Sequence, residues 1–543
     1  MSALQTQSPA QAGVLDALII GAGFSGLYQL HLLRDRLGLA VRVLEAADGV
    51  GGTWYWNRYP GARCDSESHS YCYFFSKALQ QEWEWTERYP EQPEILRYLN
   101  HVADRFDLRR DISFETRVTA AHYDGAANLW HVTTAAGERL SARFLITAVG
   151  CLSTANVPKI PGLEDFEGRW YHTGEWPHAG VDFRGQRVGQ IGTGSTGIQA
   201  VPVIAATARH LTVFQRTANF SVPARNVPLD PAFKRWVKEN YDTIRSVTRA
   251  TTNGHPFTIS DRSALDAPPE ERQALYEKAW EKGGLQFRAT FGDILTSKPA
   301  NDTAVDFIRA KVRAIVKDPK TAALLCAFDH PYATKRPPID TEYFETYNRD
   351  NVSLVDLRAA PIERITPRGI RTRDAEYPLD IIVFATGFDA MTGPLLGIDI
   401  RGRDGVTLQQ AWADGPRTYL GLQVAGFPNL FTVTGPGSPS VLCNMPVAIE
   451  QHAEWIADCI AHMRTRGLQR IETTAAAADA WVDQVNAAAD ATLLPQAASS
   501  WYLGANVPGK PRVFMPYAGG MARYRAICDG IAARGYDGFV LSA

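Results

Sequence analysis

The chain predicts an α/β protein with two Rossmann-like dinucleotide-binding domains, the second interrupted by a helical insertion, and three observations carry that prediction. The first is a pair of strand, glycine-loop, helix units at Gly21-Ala22-Gly23-Phe24-Ser25-Gly26 and Gly192-Thr193-Gly194-Ser195-Thr196-Gly197, each leaving a short apolar strand. The second is their register: 24 positions separate Gly21 from Glu45 and also Gly192 from Arg216, so each unit meets a strand-end charge at the same distance. The third is the lapse of strand alternation over residues 223–333, where apolar residues recur at helical spacing before short apolar strands resume. The expected domains are 1–150 with 387–543 for the first nucleotide, 151–222 with 334–386 for the second, and 223–333 for the insertion.

Composition narrows the function classes. At 543 residues and 45% hydrophobic content, the chain can fill two or three cores. Its 56 basic and 58 acidic residues are well mixed, so nothing electrostatic attracts nucleic acid or an anionic membrane. Small-molecule chemistry is the expectation. The seven cysteines (64, 72, 151, 326, 443, 459, 528) include no C-x-x-C pair, which speaks against a disulfide framework, a metal site and a two-cysteine redox centre. The N-terminus lacks a basic segment followed by an apolar run, and no stretch approaches the ~20 apolar residues of a membrane span. A soluble cytoplasmic protein, monomeric or weakly associating, is expected.

In the first unit, residues 15–20 form the apolar strand. Gly21 permits the tight turn, Gly23 lets backbone approach a pyrophosphate, and Gly26 lets helix and strand pack, while the helix start at Phe24 and Ser25 offers unpaired N–H groups to an anion. Glu45 can accept from ribose hydroxyls and would repel a 2′-phosphate, so this site suits FAD or NAD. A helix over 92–106 and alternating runs such as FETRVTAAHYD and LWHVTTA, read as an antiparallel meander, lead to a buried strand at 144–150.

In the second unit the acid becomes a cation. Arg216 can fork onto a 2′-phosphate and Thr217 adds a hydroxyl, so this site favours NADP(H). Within the insertion, Val305, Ile308, Val312, Ile315 and Val316 share one helix face, with Arg309, Lys311, Arg313 and Lys317 on another. Asn301 or Asp302 is the expected cap of that helix, and Pro268-Pro269-Glu270-Glu271 the start of an earlier one. No chemistry is expected in the insertion, only a structural or lid role. Lys335 and Arg336 precede Pro337-Pro338 in an exposed turn, and residues 380–388 form a strand ending in A-T-G-F. A glycine-proline loop then carries Val441 and Leu442, with Met445 just before a helix over 447–463.

Between the two glycine loops, Phe166, Gly168, His172, Trp176 and Pro177 stand in the order F-x-G-x-x-x-H-x-x-x-W-P. In this the chain resembles the Baeyer–Villiger monooxygenases, flavoproteins that insert one oxygen atom beside a ketone carbonyl, and the likeness runs from about Asp16 to Leu541. The resemblance implies FAD in the first fold, with Gly52, Thr53, Trp54, Asp65 and Met445 added to the glycine loop and Glu45. It implies NADP(H) in the second, with Lys335 beside Arg216 and Trp501 against the nicotinamide cofactor. By the same likeness Arg336 is the catalytic arginine, Asp65 pairs with an arginine from elsewhere in the chain, and Phe166, Gly168, His172 and Trp176 play supporting roles. Cys151, Leu152, Pro337, Val441, Leu442 and Met445 would line the substrate pocket. Cys151 and Pro337 stand where a similar family member carries a bulkier amide and an aliphatic residue, which shifts the expected ketone preference. The implied reaction turns a ketone and O2 into an ester or lactone, with sulfoxidation as a side activity, and a guanidinium that keeps its proton suits the negative charge that gathers on oxygen. The rivals are a flavin monooxygenase acting on amine nitrogen or sulfide sulfur, which has no need of the Arg336–Asp65 pair, and a non-catalytic flavin redox sensor.

Overall fold

A computed structural model describes residues 13–543. Strand β1 (Leu15–Ile20) runs parallel to β2 (Val41–Leu44), which pairs in turn with β3 (Ile112–Ser113). A meander of β4 (Val118–Asp124), β5 (Leu129–Thr134) and β6 (Arg139–Thr147) follows, and β6 returns beside β1. The four C-terminal residues of β1 are buried, as a parallel strand covered on both faces requires, whereas β5 buries Trp130, Val132 and Thr134 on alternate positions. Helix α1 (Phe24–His31) springs from the end of β1, and three more helices, α2 (Thr53–Trp56), α3 (Lys77–Glu82) and α4 (Gln92–Arg105), precede the meander.

The second sheet begins with β7 (Arg169–His172) and β8 (Arg187–Ile191), the latter leading into α5 (Ser195–Thr207) and then β9 (His210–Gln215). Two-residue β10 (Val222–Pro223) opens the insertion, which contains α6 (Pro231–Ala250), α7 (Pro269–Lys282), α8 (Lys298–Ile315) and α9 (Pro319–Leu325). Its closing strand β11 (Ile339–Asp340) lies parallel to β10, with Val222 opposite Ile339, so the insertion leaves and re-enters at one place. Strand β12 (Val352–Asp356) then joins β9, and after a small antiparallel meander, β13 (Ile362–Thr366), β14 (Gly369–Thr372) and β15 (Glu376–Pro378), strand β16 (Ile381–Phe384) enters between β8 and β7. All pairings of this five-stranded sheet are parallel. Finally β17 (Asp399–Arg401) pairs with β4, and β18 (Leu430–Thr432) with β6, carrying the chain back to the first sheet.

The cap expected for the helix at 298–315 is corrected. Ser297, not Asn301 or Asp302, caps it, its hydroxyl accepting from the Ala300 amide at 3.3 Å, and Pro299 occupies the first turn, where a missing N–H leaves nothing unpaired. Asn301 lies inside the helix with no solvent exposure, where its amide donates to the Ile294 and Tyr332 carbonyls and accepts from the Tyr332 N–H. Asp302 is paired with Lys298 one turn earlier. Among the described residues no helix is long and apolar enough to cross a membrane, and no cluster of His, Cys, Asp and Glu could hold a metal ion.

Candidate active site

Both glycine loops leave their helix starts open. Neither α1 nor α5 has a side chain capping its first turn, so the amide N–H groups there remain for a ligand. A side chain on Gly26 would put its Cβ 1.8 Å from the Gly21 carbonyl oxygen, and one on Gly197 would meet the Gly192 carbonyl at 2.3 Å, so both crossings demand glycine. Around Gly194 a Cβ would meet nothing within 4 Å, an open cradle of the kind a pyrophosphate fills. Gly52 packs so closely on Gly23 that a Cβ would stand 2.9 Å from its Cα. Glu45 is buried beside the first loop, its two oxygens accepting from the Ala22 amide at 2.7 Å and the Ala47 amide at 2.8 Å, while burial pushes its carboxyl upward. Phe24 turns its ring inward against Tyr71 and Tyr73 and its carbonyl accepts from the Tyr73 hydroxyl at 2.5 Å, leaving its backbone N–H for the ligand, and Ser25 is buried next to it. Trp54 is buried, donating to the Tyr71 hydroxyl at 3.1 Å, whereas Thr53 is exposed and Met445, half-buried, starts the helix Met445–Thr465. These residues fit FAD.

At the second site Thr193 donates to the Thr217 carbonyl at 2.7 Å, and Ser195 and Thr196 stand half-exposed at the helix start. Arg216 is exposed just past β9. The Lys335 ammonium is 3.8 Å from Asp329, and Arg358 both pairs with Asp329 and donates to the Thr217 hydroxyl at 3.3 Å. Burial, with the nearby charges of Arg216 and Arg358, holds Lys335 below the usual ammonium range against the pull of Asp329. Lys335 and Arg358 thus share one carboxylate with the Arg216 charge close to Lys335, a surplus of cations suited to the 2′-phosphate of NADP. Arg358 and Asp329 escaped the sequence reading, although a signal exists: Asp356 pairs with Gln215 across β12 and β9, so Arg358 follows its strand as Arg216 follows its neighbour.

The loop from Tyr59 to Asp65 rests on α5. The Tyr59 hydroxyl donates to Gln199 at 2.8 Å, and the Gln199 amide donates to the Arg63 carbonyl at 3.1 Å and to Asp65 at 3.4 Å. On its other oxygen Asp65 accepts from Arg336 Nε at 3.4 Å, and Arg336 Nη1 donates to the Val441 carbonyl at 3.2 Å. Burial raises the Asp65 carboxyl and Arg336 opposes the rise; burial likewise disfavours the Arg336 charge, but Asp65 outweighs it and the guanidinium stays protonated. Beside this pair Cys151 and Val441 belong to an apolar cluster with Met391, Tyr502, Phe514 and Met515, against which Leu152, Leu442, Met445 and Trp501 pack. Pro337 is half-buried next to Arg336.

The residues of the spaced signature fasten β7 to its surroundings. A Cβ on Gly168 would strike the Asp380 carbonyl and the Phe166 ring, each at 2.5 Å. His172 accepts from the Gly174 amide at 3.0 Å and meets Phe388 of the A-T-G-F turn edge to face at 5.9 Å; burial draws its imidazole down to about 4, so it is neutral at neutral pH. Trp176 is buried against Tyr171. The Phe388 carbonyl accepts from Asn506 at 2.7 Å, and Lys510 donates to Asp389 at 2.5 Å and to the Ala390 carbonyl at 2.6 Å, tying the segment that carries Trp501 to the same turn.

Comparison with known proteins agrees with this arrangement. The family model described as flavin-binding monooxygenase-like matches residues 16–227. A Baeyer-Villiger monooxygenase of Pseudooceanicola batsensis is 48% identical over 99% of this chain and 98% of its own length. An acetone monooxygenase (methyl acetate-forming) of a Gordonia species is 46% identical over 97% of this chain and 99% of its own. A phenazine N-monooxygenase of Lysobacter antibioticus is also 46% identical, over 97% of each chain. Among solved structures, an oxidized steroid monooxygenase bound to NADP has 53% identity and a TM-score of 0.93, covering 98% of this chain and 100% of that one. The OTEMO complex with FAD and NADP gives 0.94 at 44% identity, covering 99% and 100%. With likeness of this degree along nearly its whole length, the chain belongs to the Baeyer–Villiger monooxygenase family and is an NADPH-dependent FAD flavoprotein monooxygenase.

Proposed function

We propose that this enzyme converts ketones to esters or lactones, with Arg336 and Asp65 as the charged pair at the reacting centre. The observation that carries the proposal is the 3.4 Å pairing of half-buried Arg336 with buried Asp65 beside an apolar cluster. The first glycine loop, Glu45 and the Gly52–Trp54 turn would hold FAD, which when reduced by NADPH would activate O2 so that one atom enters the ketone and the other leaves as water. Arg336 provides positive charge where negative charge gathers on oxygen as the carbonyl is attacked. A guanidinium cannot hand over its proton there, so it stabilises without quenching. Asp65 positions Arg336, and Gln199 with Tyr59 fixes Asp65 from α5. Cys151, Leu152, Pro337, Val441, Leu442 and Met445 would enclose the ketone and exclude water. Arg216, Thr217, Lys335 and Arg358 would select NADPH over NADH, and Trp501 would cover the nicotinamide.

Domain limits of 1–150 with 387–543, 151–222 with 334–386, and an insertion over 223–333 belong to the same reading, supported by β17 and β18 joining the first sheet and β12 and β16 the second. The free, buried state of all seven cysteines supports a reducing, cytoplasmic setting, and a monomer or weak oligomer belongs to the same reading. Oxidation of amine nitrogen or sulfide sulfur is the second reading, favoured by the relative named as an N-monooxygenase. The test is a panel of aryl, cyclic and linear ketones beside an amine and a sulfide, scored by NADPH consumption and identified products. Esters or lactones are expected, with some sulfoxide. N- or S-oxides in the absence of any ester would replace the proposal with its rival.

A further inference from the structure

The insertion, from which no chemistry was expected, carries a cation without a partner. Arg288 sits on the short helix Leu285–Thr290, where Phe287 on one side packs edge-on against Tyr332 at 5.7 Å and Ala289 on the other accepts from the Ser260 amide at 3.0 Å. Leu285 and Gln286 of the same helix line a small cavity shared with Asp65, Tyr89 and His255. The helix therefore abuts the surroundings of the Arg336–Asp65 pair.

What singles out Arg288 is its lack of any hydrogen bond or ion pair among the described residues, although it is only partly exposed. Burial depresses its pKa, and the ionisable groups that act on it are the Tyr332 and Tyr502 phenols rather than a carboxylate. The charges of Arg288 and Arg336 both act on Tyr502 and on His255, so the two guanidiniums lie near one region. Tyr502 belongs to the apolar cluster of Cys151 and Val441. Arg336 has its carboxylate in Asp65. Arg288 has none, and a half-buried guanidinium left unpaired is a standing desolvation cost unless an anion arrives to meet it.

We infer that Arg288 receives the carboxylate of the substrate, so that the preferred ketones are keto acids whose carbonyl lies by Arg336 and whose anion lies by Arg288. This deepens the ketone reading above and rests on it. A guanidinium presents a planar fork that matches a carboxylate, and the surrounding apolar wall strengthens the attraction by excluding water.

The probes are 4-acetylbenzoate and 4-acetylbenzamide, similar in size and differing in charge, tested on the FAD-loaded enzyme and on its Arg288→Gln and Arg288→Lys variants. The parent is expected to favour the acid over the amide in kcat/KM, and Arg288→Gln to cut that ratio roughly ten- to a hundredfold, mainly through KM for the acid. Arg288→Lys keeps part of the preference. Equilibrium binding of the two probes to the oxidised enzyme, followed by the visible flavin spectrum, should give the same shift in the ratio of Kd values. A parent with no preference for the acid overturns the inference, as does an equal loss for both probes in Arg288→Gln or a loss confined to KM for NADPH, which would assign the arginine to the cofactor. If no ketone gives ester yet the Kd ratio shifts as stated, the ketone reading fails while the anion site stands. If ester forms readily and the ratio is flat, the anion site fails alone.

Discussion

Half-buried Arg336 and buried Asp65 pair at 3.4 Å, and the stability gained is small, because the cost of desolvating them offsets much of their attraction. On the proposed mechanism the pair serves catalysis instead. Arg336→Ala is expected to keep FAD and accept hydride from NADPH while ester formation falls by about 10²–10³-fold, the usual loss for one preorganised charge-stabilising donor. Rapid-mixing flavin spectra and product analysis check the two halves, and ester at near the parental rate would displace Arg336 from the mechanism. At the NADPH site, Arg216→Ala is expected to raise KM for NADPH roughly tenfold or more and to leave NADH nearly untouched, since a lost charged hydrogen bond costs about 1.5–3 kcal/mol. Equal effects on both cofactors would remove Arg216 from the phosphate. The placement of residues in spaced motifs, Glu45 against the first glycine loop and Arg216 just past its strand, was legible because the spacing itself encodes the strand-to-helix unit that presents them. Arg358, Asp329, Gln199 and Arg288 were not, because their importance arises from neighbours more than 25 positions away in sequence, as with Gln199 and Asp65.

Helix 298–315 separates what periodicity can and cannot tell. Its buried face follows the expected residues Val305, Ile308 and Val312, yet its start lies earlier than expected, because Asn301 was recruited to a tertiary task and the capping fell to Ser297. Ser297→Ala is expected to cost about 1 kcal/mol of stability. Asn301→Ala is expected to cost more, about 2–4 kcal/mol, since it strands three buried backbone groups. Denaturant titrations of both variants decide this, and the reverse order would restore Asn301 as the cap. On helix 445–465, Glu450 is buried and accepts from the Phe74 amide at 2.5 Å, and burial, with Glu454 nearby, pushes its carboxyl up to about 7. A carboxyl raised in the folded state binds its proton more tightly folded than unfolded. Its contribution is therefore full below about pH 4.5 and is lost as pH rises through about 7. Glu450→Gln, which keeps an acceptor for Phe74 but cannot ionise, is expected to gain stability relative to the parent between pH 5 and 8, by an amount on the order of 2–3 kcal/mol. Thermal unfolding midpoints across that range check it, and parallel curves for the two proteins would mean that Glu450 is not held protonated.

The two sheets meet where α5 receives the Tyr59–Asp65 loop, so Asp65 of the first unit is held by Gln199 of the second. Stripping FAD is accordingly expected to lower the midpoint of thermal unfolding by removing a ligand that binds only the folded chain, a linkage of about 4 kcal/mol at a thousandfold excess over Kd. Adding FAD back restores it, and a midpoint indifferent to FAD would mean the glycine loop at 21–26 does not hold the cofactor in the folded chain. At this scale the sequence disclosed two nucleotide units and an insertion. It placed residues 387–543 back in the first domain but did not disclose that β16 slots between β8 and β7, or that β17 chooses β4 and β18 chooses β6, since strand neighbours are chosen by packing across the whole chain. The parallel pairing of Val222–Pro223 with Ile339–Asp340 brings the chain at the start of the insertion beside the chain a few residues past its end. Everything between them, Arg288, Lys335, Arg336 and Pro337 included, can therefore be exchanged between homologues as one cassette at a single seam. A chimera cut there would inherit its donor's taste in substrates together with part of its grip on the coenzyme, so recombination moves these two traits as a linked pair.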